Sequence, residues 1–244
     1  MSQVARLCLG TASFGMAYPP GSRSPRPTHM EAGEILDYAW HHGVVNVDTA
    51  AAYGDAEDLC EQYLMMNVRV TTKSAPEFYY TKMALETRQR HHGIHDWTVL
   101  LHNPTLKQLQ VAADGASVYT PAEALFAIAA GLKIIQIPYH ILNQSHARAG
   151  VFEAAKAAGV TVYARQPFAR GEALKQFSVE TCLRFALESP AQFIVFGVST
   201  LAQLEDVISI AASDPPPTWR SSYANLLSIF ADSALELASV CTVR

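Results

Sequence analysis

The chain is poor in charge: only 16% of its residues are Asp, Glu, Lys or Arg, and its net charge is −4. No cluster of Lys and Arg and no interleaving of basic with aromatic residues occurs, which removes nucleic acid from the expected partners. Cysteine is scarce as well. Cys8, Cys60, Cys182 and Cys241 are scattered without a C-x-x-C pair, so reduced, mostly buried thiols are expected rather than a disulfide framework. No apolar run approaches membrane-spanning length, and the opening MSQVARLCLG is too short and too interrupted for a signal peptide. A cytoplasmic protein with no membrane partner is the expectation. Neither G-x-G-x-x-G nor G-x-x-x-x-G-K occurs, so a Rossmann fold and a P-loop are not indicated, and no G-x-S-x-G surrounds any serine. No set of metal ligands is visible either: His41-His42 and His91-His92 are adjacent pairs whose side chains diverge, as on a surface.

Hydrophobic residues are abundant, at half of the 244 positions, enough for the core of one barrel or two small domains. Short apolar runs alternate with amphipathic stretches throughout. The strand candidates are VARLCLG, VVNVDT, VRVTTK, TVLLHN, VAADGAS, KIIQIPY, VTVYAR and FIVFGV. Most are continuous rather than alternating, as strands buried on both faces should be. Between them, Thr28 and Glu31 have capping-box spacing ahead of a stripe at Ile35, Leu36, Ala39 and Trp40. DAEDLCEQYLMM opens with acids, and PAEALFAIAAG has Pro at its start and Gly at its stop. VFEAAKAAG and LAQLEDVISIAA complete the alternation.

Eight β/α steps predict one (β/α)8 TIM barrel over about residues 4–212, followed by a C-terminal helix over about 218–239, the whole chain forming a single barrel domain. One step is short. Only eight residues, 103–110, separate the fourth strand from the fifth, where a parallel crossover needs about a dozen or more. The fourth outer helix is therefore expected to be missing or shortened. The bared wall would be covered by the C-terminal helix through Leu226, Leu227 and Phe230, or by a second copy in a homo-oligomer.

Four polar residues stand where apolar runs end: Asp48 and Tyr53 after the second, Lys73 at the third and His102 at the fourth. The C-terminal ends of barrel strands are where such folds build active sites. A Tyr beside a Lys, an Asp and a His can move a proton onto or off an oxygen. A neighbouring ammonium favours the phenolate and lowers the phenol's pKa from about 10, and an Asp paired to the Lys holds it in place.

LGTASFG, VDTAAAYG, TTK, LLHNP, GASVYTPAEAL, IIQIPYHILNQ, GVTVYARQPFARG and FGVSTLAQLED follow one another in an order similar to that of the aldo-keto reductase superfamily, from about Arg6 to Ala212. The resemblance implies an NADP(H) cofactor across the barrel mouth and hydride transfer to the carbonyl carbon of a small aldehyde or ketone. By the same resemblance Tyr53 is the proton donor, Lys73 and Asp48 lower its pKa, and His102 orients the carbonyl. Ser117 and Gln136 would meet the nicotinamide carboxamide; Gly10 and Thr11 form the first-strand turn near the cofactor. Gly197, Ser199, Thr200 and Gln203 would hold the adenosine phosphate.

The chain also departs from the family. Arg165 stands where the nicotinamide stacks, either to stack through its plane or to pair with a carboxylate at the mouth. Asp206 or Val207 replaces the usual adenine-holding Asn, so NAD(H) in place of NADP(H), weak binding and no cofactor binding all stay open. The segment between Gly171 and Phe177 is shortened. Phe14, Tyr18 and Trp97 are candidate substrate walls. The sequence reading thus favours an NAD(P)H-dependent carbonyl reductase. Its alternatives are a barrel that acts as a binding or regulatory subunit, or a lyase or isomerase that uses the same proton relay without hydride.

Overall fold

A computed structural model describes residues 2–18, 26–63, 67–74, 96–110, 114–216 and 219. Eight parallel strands close into a barrel in chain order: β1 Leu7–Gly10, β2 Asn46–Asp48, β3 Arg69–Ser74, β4 Asp96–His102, β5 Gly115–Ser117, β6 Ile134–Pro138, β7 Thr161–Arg165 and β8 Phe193–Gly197. Each coincides with one of the eight apolar runs, with β3 extending one residue past its run and β4 beginning two residues before its own. Their continuous hydrophobicity reflects burial on both faces, with helices outside and side chains filling the interior.

The helices are α1 Ala12–Gly15, α2 His29–His41, α3 Ala56–Tyr63, α4 Pro121–Ala129, α5 Ser145–Arg148, α6 Val151–Ala158, α7 Val179–Leu187 and α8 Leu201–Ala212. Their ends follow local chemistry. Thr28 and Glu31 form a reciprocal capping box at α2, and Thr120 and Glu123 do the same at α4, where Pro121 opens the first turn. Ile35, Leu36 and Ala39 of the α2 stripe are buried, while Trp40 is half-buried. His41 and His42 are exposed at the end of α2, each ring bonded to the carbonyl four residues back. His91 and His92 lie outside the described residues.

The shortened steps are present. The β4–β5 connection is residues 103–114, and among its described residues the helical structure is one 3-10 turn, Gln108–Gln110. It is longer than the eight residues read from sequence because β5 begins only at Gly115, not at Val111. After β7 a 3-10 segment, Ala169–Lys175, leads directly to α7.

Strand register decides which residues face inward. Cys8, Ile134, Tyr163, Phe193 and Val195, from four strands, pack into one cluster inside the barrel. With a side-chain period of two, Gly10, Gln136, Arg165 and Gly197 also face inward, one layer nearer the C-terminal mouth. The pairings Gly10↔Asp48, His102↔Ser117, Ser117↔Gln136 and Gly10↔Gly197 bring the predicted residues into the same layer.

By its internal contacts the chain divides into two units, residues 1–212 and 213–244. In the second, the Trp219 amide donates to the Pro216 carbonyl at 3.0 Å. The rest of the C-terminal helix expected from sequence, with Leu226, Leu227 and Phe230, and Cys241 lie outside the described residues. Cys8, Cys60 and Cys182 are free and buried. Among the described residues, no helix is long and apolar enough to cross a membrane, and no three His, Cys, Asp or Glu side chains gather as metal ligands.

Candidate active site

A cleft of about 510 Å³ opens among the C-terminal strand ends. At its floor the Lys73 ammonium donates to Asp48 Oδ2 at 2.6 Å and to the Thr49 carbonyl at 2.9 Å. Asp48 Oδ1 accepts from Gln136 Nε2 at 2.7 Å, and Gln136 Oε1 accepts from the Ser117 hydroxyl at 3.1 Å. This chain of buried bonds ties β2, β3, β5 and β6 together. A buried ion pair persists where further hydrogen bonds satisfy its remaining atoms, and that is the arrangement here.

Tyr53 comes from the turn between β2 and α3, which two glycines make possible. A Cβ on Gly15 would stand 1.7 Å from the Tyr53 carbonyl oxygen, and one on Gly54, at φ +61°, would stand 2.2 Å from the Gly15 oxygen. Only with both side chains absent can α1 lie against the Tyr53 turn. Arg26 clamps the outside, donating to the Gly15 carbonyl at 3.0 Å and to both Asp55 oxygens at 2.7 and 3.0 Å. The Lys73 nitrogen lies 5.1 Å from the Tyr53 ring centroid, and the His102 ring meets Tyr53 edge-on at 6.0 Å.

The electrostatics modify the expectation from sequence. Burial raises the Tyr53 pKa above its ordinary value; the Lys73 charge and a hydrogen bond from Lys73 oppose this, and Asp48 adds to the rise. Lys73 does pull the phenol down, as expected, but Asp48 pushes it up rather than down, and burial prevails. Tyr53 is therefore an intact acid at neutral pH. His102 is lowered to about 4 by burial and by the Lys73 and Arg165 charges, so its ring is neutral. For Lys73, burial favours the neutral amine, but the combined pull of Asp48 and Tyr53 raises its pKa and keeps it an ammonium.

Most residues predicted from sequence line the cleft: Gly10, Asp48, Tyr53, His102, Ser117, Gln136, Arg165, Gly197, Ser199 and Gln203. Lys73 lies beneath it, 1% exposed, where it reaches the ligand space through Tyr53. Thr11 does not line the cleft: its amide and hydroxyl both donate to the Asp48 carbonyl, at 2.9 and 3.2 Å, so it braces β2. Thr200 is taken up by capping, its hydroxyl accepting from the Gln203 amide at 3.3 Å, while the Gln203 side-chain oxygen accepts from the Ser199 amide at 2.8 Å. Of the three candidate walls only Tyr18 lines the cleft. Phe14 is fully buried, and Trp97, second residue of β4, sits at the opposite end of the barrel.

Arg165 forms no ion pair with a carboxylate among the described residues; its plane lies on a protein ring instead. It is 8% exposed and donates to the Val118 carbonyl at 3.2 Å, and its guanidinium carbon lies 4.2 Å from the Tyr119 ring centroid. With the Gln166 amide turned so that its oxygen faces the guanidinium groups, that oxygen accepts from Arg165 at 2.8 Å and from Arg170 at 3.0 and 3.2 Å. Tyr119, Gln166, Arg170 and Leu174 are lining residues that the sequence reading missed. Tyr119 was within reach, two residues beyond Ser117 and on the same side by period. The others follow from a backbone with Gln166, Ala169 and Arg170 at φ +64°, +50° and +57°, values that nothing in R-Q-P-F-A-R-G announces.

Residues 6–99 match the model of the aldo/keto reductase family. No curated protein matches the chain. A Pseudomonas aeruginosa protein assigned to the aldo-keto reductases is 19% identical, with TM-score 0.67 and coverage of 85% of this chain and 89% of that one. Aldo-keto reductase AKR11C1 from Bacillus halodurans, in its holo form, is 18% identical with TM-score 0.66, covering 91% of each chain. The thermostable aldo-keto reductase Tm1743, solved with the inhibitor epalrestat, is 18% identical with TM-score 0.66 and coverage of 88% and 93%. At such identities the structural likeness establishes the fold.

Proposed function

We propose that this barrel, whose residues 6–99 match the aldo/keto reductase family model, is an oxidoreductase of that family that reduces a small aldehyde or ketone with NADPH or NADH. The observation that carries the reading is the buried Asp48–Lys73 pair at 2.6 Å under Tyr53, with neutral His102 beside the phenol; Asp48, Tyr53 and His102 line one cleft and Lys73 lies beneath it.

The donor set suits a nicotinamide dinucleotide. Ser117 and Gln136 offer a hydroxyl and an amide at the cleft floor, Arg170 supplies positive charge, and Ser199 and Gln203 line the cleft beyond Gly197. When bound, that cofactor supplies the hydride.

The chain's own residues handle the proton. Tyr53, kept protonated by burial, donates its phenolic proton to the substrate oxygen as negative charge develops there. The phenolate left behind faces the Lys73 ammonium, whose charge Asp48 and the Thr49 carbonyl hold in place. Neutral His102 can donate one N–H to the same oxygen without adding a charge, which orients the carbonyl. Gln136, by bonding Asp48, fixes the carboxylate that fixes Lys73.

A fluorescence titration of the purified protein with NADPH and with NADH, followed by turnover of an aldehyde panel, tests this. Saturable binding of either cofactor with reduction of at least one aldehyde is expected. Absence of binding by both would favour the regulatory or hydride-independent readings.

A further inference from the structure

The cleft contains a buried positive charge that no carboxylate among the described residues balances. Asp48 is matched by Lys73. Arg165 is more than nine-tenths buried, yet its acceptors are neutral: the Val118 carbonyl and the Gln166 amide oxygen. Its Nε is out of solvent without a hydrogen-bond partner. The other carboxylate among the described lining residues, Asp206, forms no ion pair with it. Buried charges are ordinarily paired, because an uncompensated ion in a poorly solvated site is costly.

The guanidinium also has a definite side of the cleft. It bonds Val118 and stacks on Tyr119, the two residues that follow Ser117, and Ser117 is the strand partner of His102. Its charge is felt at the His102 ring. The guanidinium thus reaches the turn after β5, although its own strand pairs with β8 through Arg165↔Val195. A guanidinium with unused N–H donors in a fixed fork suits a planar oxyanion.

We propose that Arg165 is a specificity-determining residue that receives a carboxylate or phosphate group carried by the carbonyl substrate, with Tyr119 holding its plane. The substrates would thus be anionic aldehydes or ketones rather than neutral ones. This rests on the carbonyl-reductase reading for the word substrate, but the site can be tested without turnover.

The full-length protein is titrated with benzoate and with benzamide, a neutral molecule of the same shape, by calorimetry. Benzoate should bind about tenfold or more tightly than benzamide, the scale of a charge-assisted bidentate bond. Arg165→Gln should remove that ratio, and Arg165→Lys, which keeps charge but loses the fork, should retain part of it. Equal affinities in the wild-type protein would overturn the proposal whether or not the variants fold, and so would a ratio that survives in a folded Arg165→Gln. ADP-ribose is titrated in parallel. If Arg165→Gln weakens ADP-ribose about tenfold and leaves the benzoate ratio intact, the guanidinium serves a cofactor phosphate and the substrate assignment fails. Failure of carbonyl reduction itself would appear separately, as absence of nicotinamide-cofactor binding with the benzoate preference retained.

Discussion

Replacing Lys73 with methionine keeps the bulk of a side chain that is 1% exposed and removes its ammonium. Asp48 then loses a partner at 2.6 Å while its carboxylate stays buried, and the Thr49 carbonyl loses a donor at 2.9 Å. The Gln136 amide alone cannot balance a buried negative charge. Breaking a buried pair in this one-sided way costs about 3–5 kcal/mol. For a domain of this size each kcal/mol lowers Tm by about 2–4 °C, so thermal unfolding should shift down by about 6–20 °C. The double variant Asp48→Asn/Lys73→Met leaves no isolated charge and should recover most of the loss, which a double-mutant cycle in urea measures. Loss of the ammonium also removes what lowers the Tyr53 pKa, so any alcohol oxidation that needs the phenolate should begin at higher pH. A Lys73→Met protein within about 1 kcal/mol of wild type would refute the reasoning, since a buried unpaired carboxylate cannot be that cheap.

Three further outcomes are expected. Tyr53→Phe removes only the transferable proton, so carbonyl reduction should fall about 10²–10⁴-fold while cofactor affinity, read by fluorescence, holds. Gly15→Ala drives a methyl into the Tyr53 carbonyl and should lower kcat and stability together, whereas Gly131→Ala, at φ +85° with open space around it, should cost about 1 kcal/mol and spare kcat; equal effects of the two would contradict the packing. His102 and His146 are both lowered from 6.5 to about 4, chiefly by burial. The unfolded chain binds protons at these rings where the folded one does not, so their contribution is complete above about pH 6.5, declines as pH falls toward 4 and then levels. Urea midpoints measured across that window should follow this decline, and His146→Gln should flatten it.

Much of the barrel was legible because strands buried on both faces leave continuous apolar runs, and the residues that interrupt those runs at their C-terminal ends are the ones the mouth needs. The quartet Asp48, Tyr53, Lys73 and His102 could be read for that reason, whereas Ser117, Gln136 and Arg165 were reached only through the family resemblance. What could not be read depends on burial and on backbone shape. The phenol's pKa is decided by how deeply Tyr53 sits, which no neighbouring residue type reveals. Trp97 looked like a pocket wall until the direction of β4 put it at the far end of the barrel. Thr200 and Gln203 have polar side chains that suit a phosphate equally well, but in the fold their oxygens are committed to the start of α8. The left-handed turn at Gln166, Ala169 and Arg170 brings Arg170 to the cleft, and its sequence carries no glycine before Gly171 to signal it.

The central claim is hydride addition to a carbonyl with Tyr53 supplying the proton. It is tested most directly by incubating the protein with an aldehyde panel and NADPH or NADH deuterated at the nicotinamide C4, then locating the label by mass spectrometry. Deuterium on the carbinol carbon of a product alcohol is predicted for the wild-type protein and should be nearly absent with Tyr53→Phe. Product formed without label, or equal label with the variant, would contradict the account.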